Sequence, residues 1–314
     1  MNFQSLTKVE DAQFYLDLAF RNSNTAVGKS REHVNSKDKI YKSRMVELDR
    51  VSSIKKTLTN LLENILKSFP SLDTLPKFYL ELVKCTLEYS ELKKSLGAVN
   101  WAKNSVMKFF SIYKSRIAKC RDIAKINSYR REFNGRVSSV LNQIDKQLSF
   151  LESARRVMKN YPTIKTGVYT IAITGFPNVG KTTLLYKLTG SKPEIKDYAF
   201  TTKDINVGYF MNGKDKVQVL DTPGTLNRFD KMNNIEKKAY LAMKYCANMI
   251  IYVFDITEPY PLQEQIELYE KIKEYGVPVF VYLSKKDILD KETIGKFKIS
   301  NLSPEEIKER LQQQ

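Results

Sequence analysis

An eight-residue stretch near the middle of the chain, GFPNVGKT at residues 175–182, matches the pattern G-x-x-x-x-G-K-[ST] at every fixed position. This pattern constrains the fold strongly, because it binds phosphate only where a strand leads into it and a helix follows. The apolar, β-branched run 168–174 predicts the strand, and the residues TLLYKLT at 183–189 predict the helix. We therefore predict a phosphate-binding loop, or P-loop, at this position.

The residue types in the loop suit phosphate chemistry. Gly175 and Gly180 allow backbone angles closed to other residues, so that successive N–H groups can face a phosphate at the positive end of the helix. Lys181 supplies a charge for the β- and γ-phosphates, and the Thr182 hydroxyl is suited to bind Mg²⁺. The predicted nucleotide-binding residues of this segment are Gly175, Pro177, Asn178, Val179, Gly180, Lys181, Thr182 and Thr183.

Apolar strands and helical segments alternate along the second half of the chain. The predicted strands lie at 168–174, 205–210, 216–220, 249–254, 277–283 and 297–299, and the predicted helices at 181 onward, 235–246, 262–275 and from Pro304, capped by Ser303. This order predicts an α/β fold in which helices cover both faces of a mostly parallel sheet. The turn Asn212-Gly213 predicts one antiparallel edge strand.

The first half of the chain has the helical period, which predicts an all-α antiparallel bundle. The predicted helices cover about 8–21 with Thr7 and Glu10 as a capping box, 37–70, 78–89, 101–126 and 137–157, with breaks at Gly97 and Gly135 and a polar stretch at 21–33. We predict a helical bundle domain at 1–160, a linker at 161–167 and a nucleotide-binding domain at 168–314.

Positive charge is concentrated in the bundle. The chain has 52 Lys and Arg against 35 Asp and Glu, and residues 101–165 alone hold 15 against 4. A basic stripe of this kind predicts contact with the phosphates of folded RNA, without base stacking because aromatic residues do not alternate with the charges. A solvated helix face is the alternative. The candidate RNA-binding residues are Lys114, Arg116, Lys119, Arg121, Lys125, Arg130, Arg131 and Arg136.

Cysteine usage and hydropathy indicate the compartment. The three cysteines are far apart and odd in number, which favours free thiols in a reducing environment. The first residues lack the apolar core of a signal peptide, and the longest apolar runs have the length of strands. We therefore expect a cytoplasmic protein without a membrane span.

Two further motifs complete a nucleotide site: DTPG follows an apolar strand, and FTT lies between the P-loop helix and the next strand. Asp221 opens the sequence DTPG, where its carboxylate could hold the water shell of Mg²⁺ and the Gly224 N–H could sense a γ-phosphate. On its own DTPG is a turn signal, but its spacing behind a P-loop favours the nucleotide site. In the segment FTT at 200–202, Thr202 could bind Mg²⁺ and the γ-phosphate. A second switch segment is expected at 225–234.

The sequence SKKD at 284–287 predicts a base-binding loop. Asp287 could accept hydrogen bonds from N1–H and the exocyclic amine of guanine, whereas adenine has no donor at either position, so GTP is the expected nucleotide. The Lys285 stem could cover the base, and Ser284 precedes it. Ser300 and Asn301 could offer a backbone N–H to the guanine carbonyl. Without the other motifs, SKKD would be an ordinary charged loop.

Taken together, these motifs resemble the Obg-related branch of translation-factor GTPases, and more closely the nucleolar GTP-binding proteins of the Nog type. The resemblance extends to the first half of the chain through Phe69-Pro70, Phe78-Tyr79, Leu96-Gly97, the run 130–136 and Ala154-Arg155. It implies a GTPase that matures the large ribosomal subunit and grips rRNA with its helical domain. The expected partners are GTP, GDP and the subunit precursor with its rRNA and ribosomal proteins. The length resembles a short archaeal form.

Two positions depart from the family pattern. Ser284 stands where these GTPases usually have Asn, so one tether between the base loop and the P-loop is expected to be lost. Thr225 stands where Ras-like enzymes have the Gln that orients water, which predicts slow intrinsic hydrolysis. Asn178 resembles an Asn that helps to bind K⁺ in related GTPases; the alternative is that it only supports the loop. The predicted catalytic residues are Lys181, Thr202, Gly224 and Asn178, and the predicted Mg²⁺ ligands are Thr182, Thr202 and Asp221.

Three interpretations remain at this stage. The first is a GTP-driven switch in ribosome assembly that is a monomer away from the ribosome. The second is an RNA- or protein-binding scaffold whose GTP is structural or barely hydrolysed. The third, a GTPase whose basic bundle meets a membrane, is disfavoured because the bundle shows no apolar face suited to lipid.

Overall fold

The protein is described by a computed structural model that covers residues 3–33, 38–190, 205–222, 234–257 and 260–312. It divides into two compact units. The helical unit comprises Asn2–Thr74 and Leu87–Tyr161, and the α/β unit comprises Leu75–Thr86 and Pro162–Gln314. No helix in the described ranges is both long and apolar enough to cross a membrane.

The helical unit is built on long amphipathic helices. These are α1 (Ala12–His33), α2 (Lys39–Ser68), α4 (Tyr89–Lys119), α5 (Ile123–Gln143) and α6 (Asp145–Lys159), while α3 (Lys77–Thr86) belongs to the other unit. One face of α2 is completely buried along Val51, Ile54, Leu58 and Leu62, so it forms the centre of the core. The predicted all-α bundle is confirmed.

The first helix differs from its prediction at both ends. It begins at Ala12, because Asp11 Oδ1 accepts the Phe14 N–H at 2.7 Å and caps it, so the predicted capping box at Thr7 and Glu10 is wrong. It also continues through the stretch 21–33, which was predicted to be non-helical. Val27 and Ser30 are buried there, and Ser30 Oγ donates to Asp49 Oδ2 at 2.6 Å. Packing against α2 therefore stabilises polar helical turns.

The predicted breaks at Gly97 and Gly135 are also wrong. Both glycines lie inside helices, α4 and α5. A glycine in a helix costs only about 1 kcal/mol relative to Ala, and the buried faces of these helices outweigh that cost. The chain breaks instead after Lys119, where Asp122 Oδ1 accepts the N–H of Ala124 at 2.8 Å and starts α5. A second break, at Ile144, divides the helix predicted at 137–157 between α5 and α6.

The α/β unit contains a five-stranded sheet. Its strands are β1 (Thr170–Thr174), β2 (Asn206–Asn212), β3 (Asp215–Asp221), β4 (Met249–Phe254) and β5 (Val279–Leu283), in the order β2-β3-β1-β4-β5. All neighbouring pairs are parallel except β2 and β3, which form an antiparallel hairpin. The turn that joins them is Gly213-Lys214, one residue later than the predicted Asn212-Gly213. The predicted fold class is confirmed. The carboxyl ends of β1, β3, β4 and β5 share one edge, which is where ligands bind in such sheets.

The remaining helices of this unit are α7 (Lys181–Thr189), α8 (Asn234–Cys246), α9 (Leu262–Lys273), α10 (Lys291–Lys296) and α11 (Pro304–Gln312). The predicted cap of α11 is confirmed, since Glu306 N–H donates to Ser303 Oγ at 3.2 Å. The strand predicted at 297–299 is wrong. This segment follows α10 as irregular chain, and the hydrogen bond to β5 next to it is from Leu302 N–H to Val281 O.

The short helix α3 packs against α8, although the sequence separates them by well over a hundred residues. Its apolar face, formed by Phe78, Tyr79, Leu82 and Val83, is buried. Tyr79 is fully buried, and its hydroxyl bonds the backbone of Pro162 and Ile164 at 2.9–3.0 Å. The domain limits 1–160, 161–167 and 168–314 stay a prediction, and they do not include this grouping of residues 75–86 with the α/β unit.

Candidate nucleotide-binding site

The P-loop joins the central strand β1 to α7 and has the backbone that its glycines predict. Gly175 has φ +143° and Gly180 has φ +93°. A Cβ atom at Gly175 would lie 2.6 Å from the Val253 carbonyl oxygen, so only glycine fits there. Asn178 is exposed with φ +61°, in the left-handed region that Asn tolerates better than most residues. This conformation is consistent with a supporting role for Asn178 in the loop, and its contact with K⁺ stays a prediction.

Lys181 lies across the loop that it closes. Its Nζ donates to the carbonyl oxygens of Gly175 at 3.1 Å and Phe176 at 2.6 Å. Burial lowers the pKa of Lys181 to about 8, while the Asp221 carboxylate acts in the opposite direction. The ammonium group is thus held by weak acceptors in a buried position, where a phosphate would be a much stronger partner.

Asp221 and Thr182 form the second part of the site. Asp221 ends β3 beside β1, and its Oδ2 accepts the Thr182 hydroxyl at 2.6 Å and the Asn206 amide at 3.1 Å. Burial raises the pKa of Asp221, although the hydrogen bonds from Thr182 and Asn206 oppose this. The carboxylate at the end of β3 and the hydroxyl at the end of the P-loop are oxygen ligands of the kind that Mg²⁺ prefers. The residues therefore fit the ion.

Sequence reasoning missed Asn206. The strands pair Asn212 with Asp215, so the two-residue turn is Gly213-Lys214 and Asn206 lies opposite Asp221. A two-residue turn at Asn212-Gly213 would have set Asn206 opposite Val219, so the predicted turn gave no signal for this contact. Thr222 was also missed as a structural residue. Its N–H and hydroxyl both donate to Ile173 O, at 3.1 and 2.8 Å, and fix the chain where it leaves β3.

The base loop follows β5 next to the P-loop. A Cβ at Gly180 would lie 3.5 Å from Ser284 Cβ, so the two loops are neighbours. The Ser284 hydroxyl donates to Phe254 O at 3.0 Å, and its single proton is therefore not directed to the P-loop. This arrangement is consistent with the loss of the tether that an Asn would provide.

The other predicted base-binding residues lie close together. Asp287 is exposed in a short 3₁₀ turn, Lys286–Ile288. Lys286 Nζ donates to Asn301 Oδ1 at 2.6 Å, which brings the base loop to the segment holding Ser300 and Asn301. Lys285 Nζ is 2.6 Å from Oδ2 of Asp255, a fully buried residue that sequence reasoning missed.

Several predicted residues lie outside the described ranges. Thr202 falls in 191–204, and Gly224 and Thr225 fall in 223–233. The predicted roles of Thr202 as an Mg²⁺ ligand and of Gly224 as a γ-phosphate sensor stay predictions. The effect of Thr225 on hydrolysis also stays a prediction. The same holds for the switch segment expected at 225–234, of which only the last residue, Asn234, is described.

The predicted RNA-binding residues lie on α4, α5 and their connection. Arg130 differs from the rest, because it is partly buried with its Nε 3.6 Å from Glu47 Oε2. Arg116 lies over the rings of Tyr113 and Tyr129. Exposed cations are Lys114, Arg116, Lys119, Arg121, Lys125, Arg131 and Arg136. Four of them, Arg116, Lys119, Arg121 and Lys125, line a surface concavity of about 490 Å³.

Two protein-family models match this chain, one in its first half and one in its second half. Residues 3–165 match the family model of the NOG1 N-terminal helical domain, and residues 170–285 match the model described as 50S ribosome-binding GTPase. An uncharacterized protein of Methanocaldococcus jannaschii is 40% identical over 81% of this chain and 73% of its own length. Nucleolar GTP-binding protein 1 of Drosophila melanogaster is 29% identical over 93% of this chain and 45% of its own length.

The same protein of Encephalitozoon cuniculi is 30% identical over 82% of this chain and 51% of its own length. The chain therefore spans about half the length of these nucleolar relatives. Together the two family models cover nearly the whole chain, with the helical domain before the GTPase domain. From these matches and the geometry of the P-loop, the chain belongs to the NOG1 family of GTP-binding proteins.

Proposed function

We propose that the protein binds GTP with Mg²⁺ and hydrolyses it slowly, as a switch in the assembly of the large ribosomal subunit. The observation that carries the proposal is the meeting of the two nucleotide loops. Gly180 of the P-loop neighbours Ser284 of the base loop, at the carboxyl edge of a mostly parallel sheet. A nucleotide that reaches both loops must have phosphates at one end and a suitable base at the other.

The phosphate end is bound by the loop N–H groups and by Lys181. A bound phosphate draws the ammonium group away from the carbonyls of Gly175 and Phe176, because an anion is the stronger acceptor. Thr182 and Asp221 would hold Mg²⁺, which neutralises charge on the β- and γ-phosphates when bound. Thr202 and Gly224 are the residues proposed to contact the γ-phosphate and so to distinguish GTP from GDP.

The base end is selected by Asp287, whose exposed carboxylate is free to accept two hydrogen bonds from guanine. Ser300 and Asn301 lie beside this loop through the contact between Lys286 and Asn301. Because Ser284 donates to Phe254 O, we expect guanine nucleotides to exchange faster than in relatives with Asn at this position.

Hydrolysis is proposed to be slow without a partner, since Thr225 replaces the water-orienting Gln of Ras-like enzymes. K⁺ bound beside Asn178 would stabilise charge on the phosphates and raise the rate. Equal hydrolysis rates in K⁺ and Na⁺ buffers would contradict the role of K⁺.

Ribosomal partners are supported by the family descriptions and by the charge of the helical unit. One matched model is described as ribosome-binding, and several relatives are named nucleolar. We propose that the exposed cations of α4 and α5 bind rRNA phosphates in the subunit precursor. We further propose that the protein acts in the cytoplasm and is a monomer away from the ribosome.

The testing experiment measures affinity and turnover for GTP and ATP, in K⁺ and in Na⁺, with and without large ribosomal subunits. Lys181→Ala serves as the control that removes the phosphate contact. We expect GTP-selective binding and turnover raised by the subunit. Selective binding without turnover under any condition would favour a GTP-dependent scaffold and overturn the hydrolytic switch.

The RNA contact is tested by reversing charge on the concave surface. The triple variant Lys119→Glu, Arg121→Glu, Lys125→Glu should weaken subunit binding at low salt and flatten its salt dependence by about one unit of slope per lost phosphate contact. The triple variant Lys29→Glu, Arg31→Glu, Lys42→Glu, at exposed positions of α1 and α2, is the matched control. Equal effects of the two variants would indicate a solvated face without specific contact.

A further inference from the structure

We propose that Asp255 is a positioning residue for guanine: its buried carboxylate fixes Lys285, and Lys285 in turn fixes the base loop that carries Asp287. The inference rests on the proposed binding of GTP. It adds a residue from the end of β4, outside every motif considered above, to the machinery that holds the base.

Asp255 is held rigidly by its surroundings. The residue is completely buried, and its Oδ1 accepts the N–H and the hydroxyl of Thr257 at 2.9 and 2.6 Å. The fully buried Gln265 side chain accepts the Asp255 N–H at 3.0 Å and donates to the Asp255 carbonyl at 2.7 Å. The carboxylate therefore has one fixed position.

The second oxygen of this carboxylate is directed to the base loop. Asp255 Oδ2 lies 2.6 Å from Lys285 Nζ, and the Lys285 side chain is about one third exposed. Burial acts to raise the pKa of Asp255, but the ion pair with Lys285 and the hydrogen bonds from Thr257 outweigh it and lower the pKa. A carboxylate charged at neutral pH with so little solvent needs its cation, which makes Lys285 its counterion.

Lys285 is unusual in its backbone as well. It has φ +52°, a left-handed conformation that is unfavourable for a residue with a side chain. Its carbonyl oxygen accepts the Ile288 N–H at 3.2 Å and closes the turn that contains Asp287. The ion pair at the end of the side chain and the turn at its backbone together fix the methylene stem, on which the base would lie.

The test compares fluorescent GDP affinity in four forms of the full chain: wild type, Asp255→Asn, Lys285→Met and the double variant. We expect each single variant to weaken GDP about tenfold or more, through faster dissociation. The double variant should be no weaker than the weaker single variant, because Asp255 acts through Lys285. Additive losses would overturn the inference.

Two further measurements separate positioning from general loss of structure. Pyrophosphate, which reaches only the P-loop, should compete for the site equally well in wild type and Asp255→Asn. Glu292→Gln is the matched control, since it removes an exposed carboxylate paired with Lys296 at 2.8 Å, and it should leave GDP affinity unchanged. Equal losses of GDP and pyrophosphate in Asp255→Asn would contradict a positioning role.

The remaining outcomes are also decisive. If Asp255→Asn does not fold, the Lys285→Met variant tests the inference. Wild-type GDP affinity in Lys285→Met would contradict it, because Asp255 is proposed to act through Lys285. If the wild-type protein does not prefer GDP to ADP, the proposed function fails before any variant is compared. If the wild type binds GDP selectively and Asp255→Asn binds it equally well, only the positioning role fails.

Discussion

At the scale of single residues, Lys181 is the group whose chemistry depends most on its surroundings. Its pKa of about 8 in the free protein means that close to half of the molecules carry a neutral side chain at pH 8. A bound phosphate favours the protonated form, so binding restores the proton. Protonation and nucleotide binding are therefore coupled, and affinity falls as pH rises through the pKa of the free protein.

We predict that GTP binding at pH 8 takes up about half a proton, and that affinity at pH 8.5 is about fourfold lower than at pH 7. Titration calorimetry in two buffers of different ionisation enthalpy measures the uptake. The corresponding uptake at pH 6.5 should be near zero, because Lys181 is already protonated there. Binding at pH 8 without proton uptake would show that Lys181 is charged before the nucleotide arrives.

Gly175 offers a second test at this scale. An alanine there would bring Cβ to 2.6 Å from the Val253 carbonyl oxygen at φ +143°, so we predict a loss of about 2 kcal/mol or more of stability and of nucleotide binding. Gly97→Ala in α4 is the matched control, since nothing lies within 4 Å of its Cβ. That variant should gain up to about 1 kcal/mol. Urea unfolding of both variants measures the difference.

The sequence predicts which residues carry chemistry when they belong to a contiguous motif. Lys181 and Thr182 were found in this way, and Asp221 was found by its spacing behind them. Asn206 and Asp255 were not found in this way. The contact of Asn206 with Asp221 depends on strand register, and the role of Asp255 depends on its burial. A lone Asp at the end of an apolar run looks like a strand terminus until its contact with Lys285 is seen.

At the scale of elements, the sequence predicts the sheet better than the helices. A buried strand has two sharp limits, where apolar residues end, and β4 lies where its pattern predicts. Helix limits depend on caps and packing. Gly97 does not interrupt α4, whereas Asp122, an ordinary polar residue in the sequence, provides the cap that begins α5.

The helix α3 gives the element-scale prediction. Tyr79→Phe removes the hydroxyl that accepts the Ile164 N–H and donates to backbone carbonyls, leaving buried polar groups unpaired. We expect the free energy of unfolding of the α/β unit to fall by about 1–3 kcal/mol. Tyr41→Phe, at an exposed position on α2, should have little effect. Urea denaturation followed by circular dichroism compares them, and equal midpoints would contradict the role of the hydroxyl.

At the scale of the whole molecule, the α/β unit is assembled from two separate parts of the chain. The sequence could not predict this, because the period of α3 is the same whether its apolar face meets helices of the bundle or α8. Its assignment to the bundle followed from its position between helical neighbours. Only the contacts of Phe78, Tyr79, Leu82 and Val83 identify its unit.

We predict that a fragment of residues 162–314 is less stable than the α/β unit of the full chain, and that a peptide of residues 75–88 binds to it and raises its Tm. The bound peptide would bury the apolar face of α3 against the fragment. A peptide with Phe78→Ser and Leu82→Ser is the control and should not bind. If the fragment is as stable as the full chain and its Tm does not change with the peptide, α3 is not a part of the α/β unit.

The position of α3 in the chain also has a consequence for biosynthesis. Residues 77–86 leave the ribosome before α8 exists, and about 150 further residues must be made before the helix can meet its partner. At about 5–20 residues per second this delay lasts roughly 8–30 s. During that time the helices around α3 can form while its own apolar face stays open to water. Nascent chains of this protein therefore expose an apolar surface that the finished protein has buried.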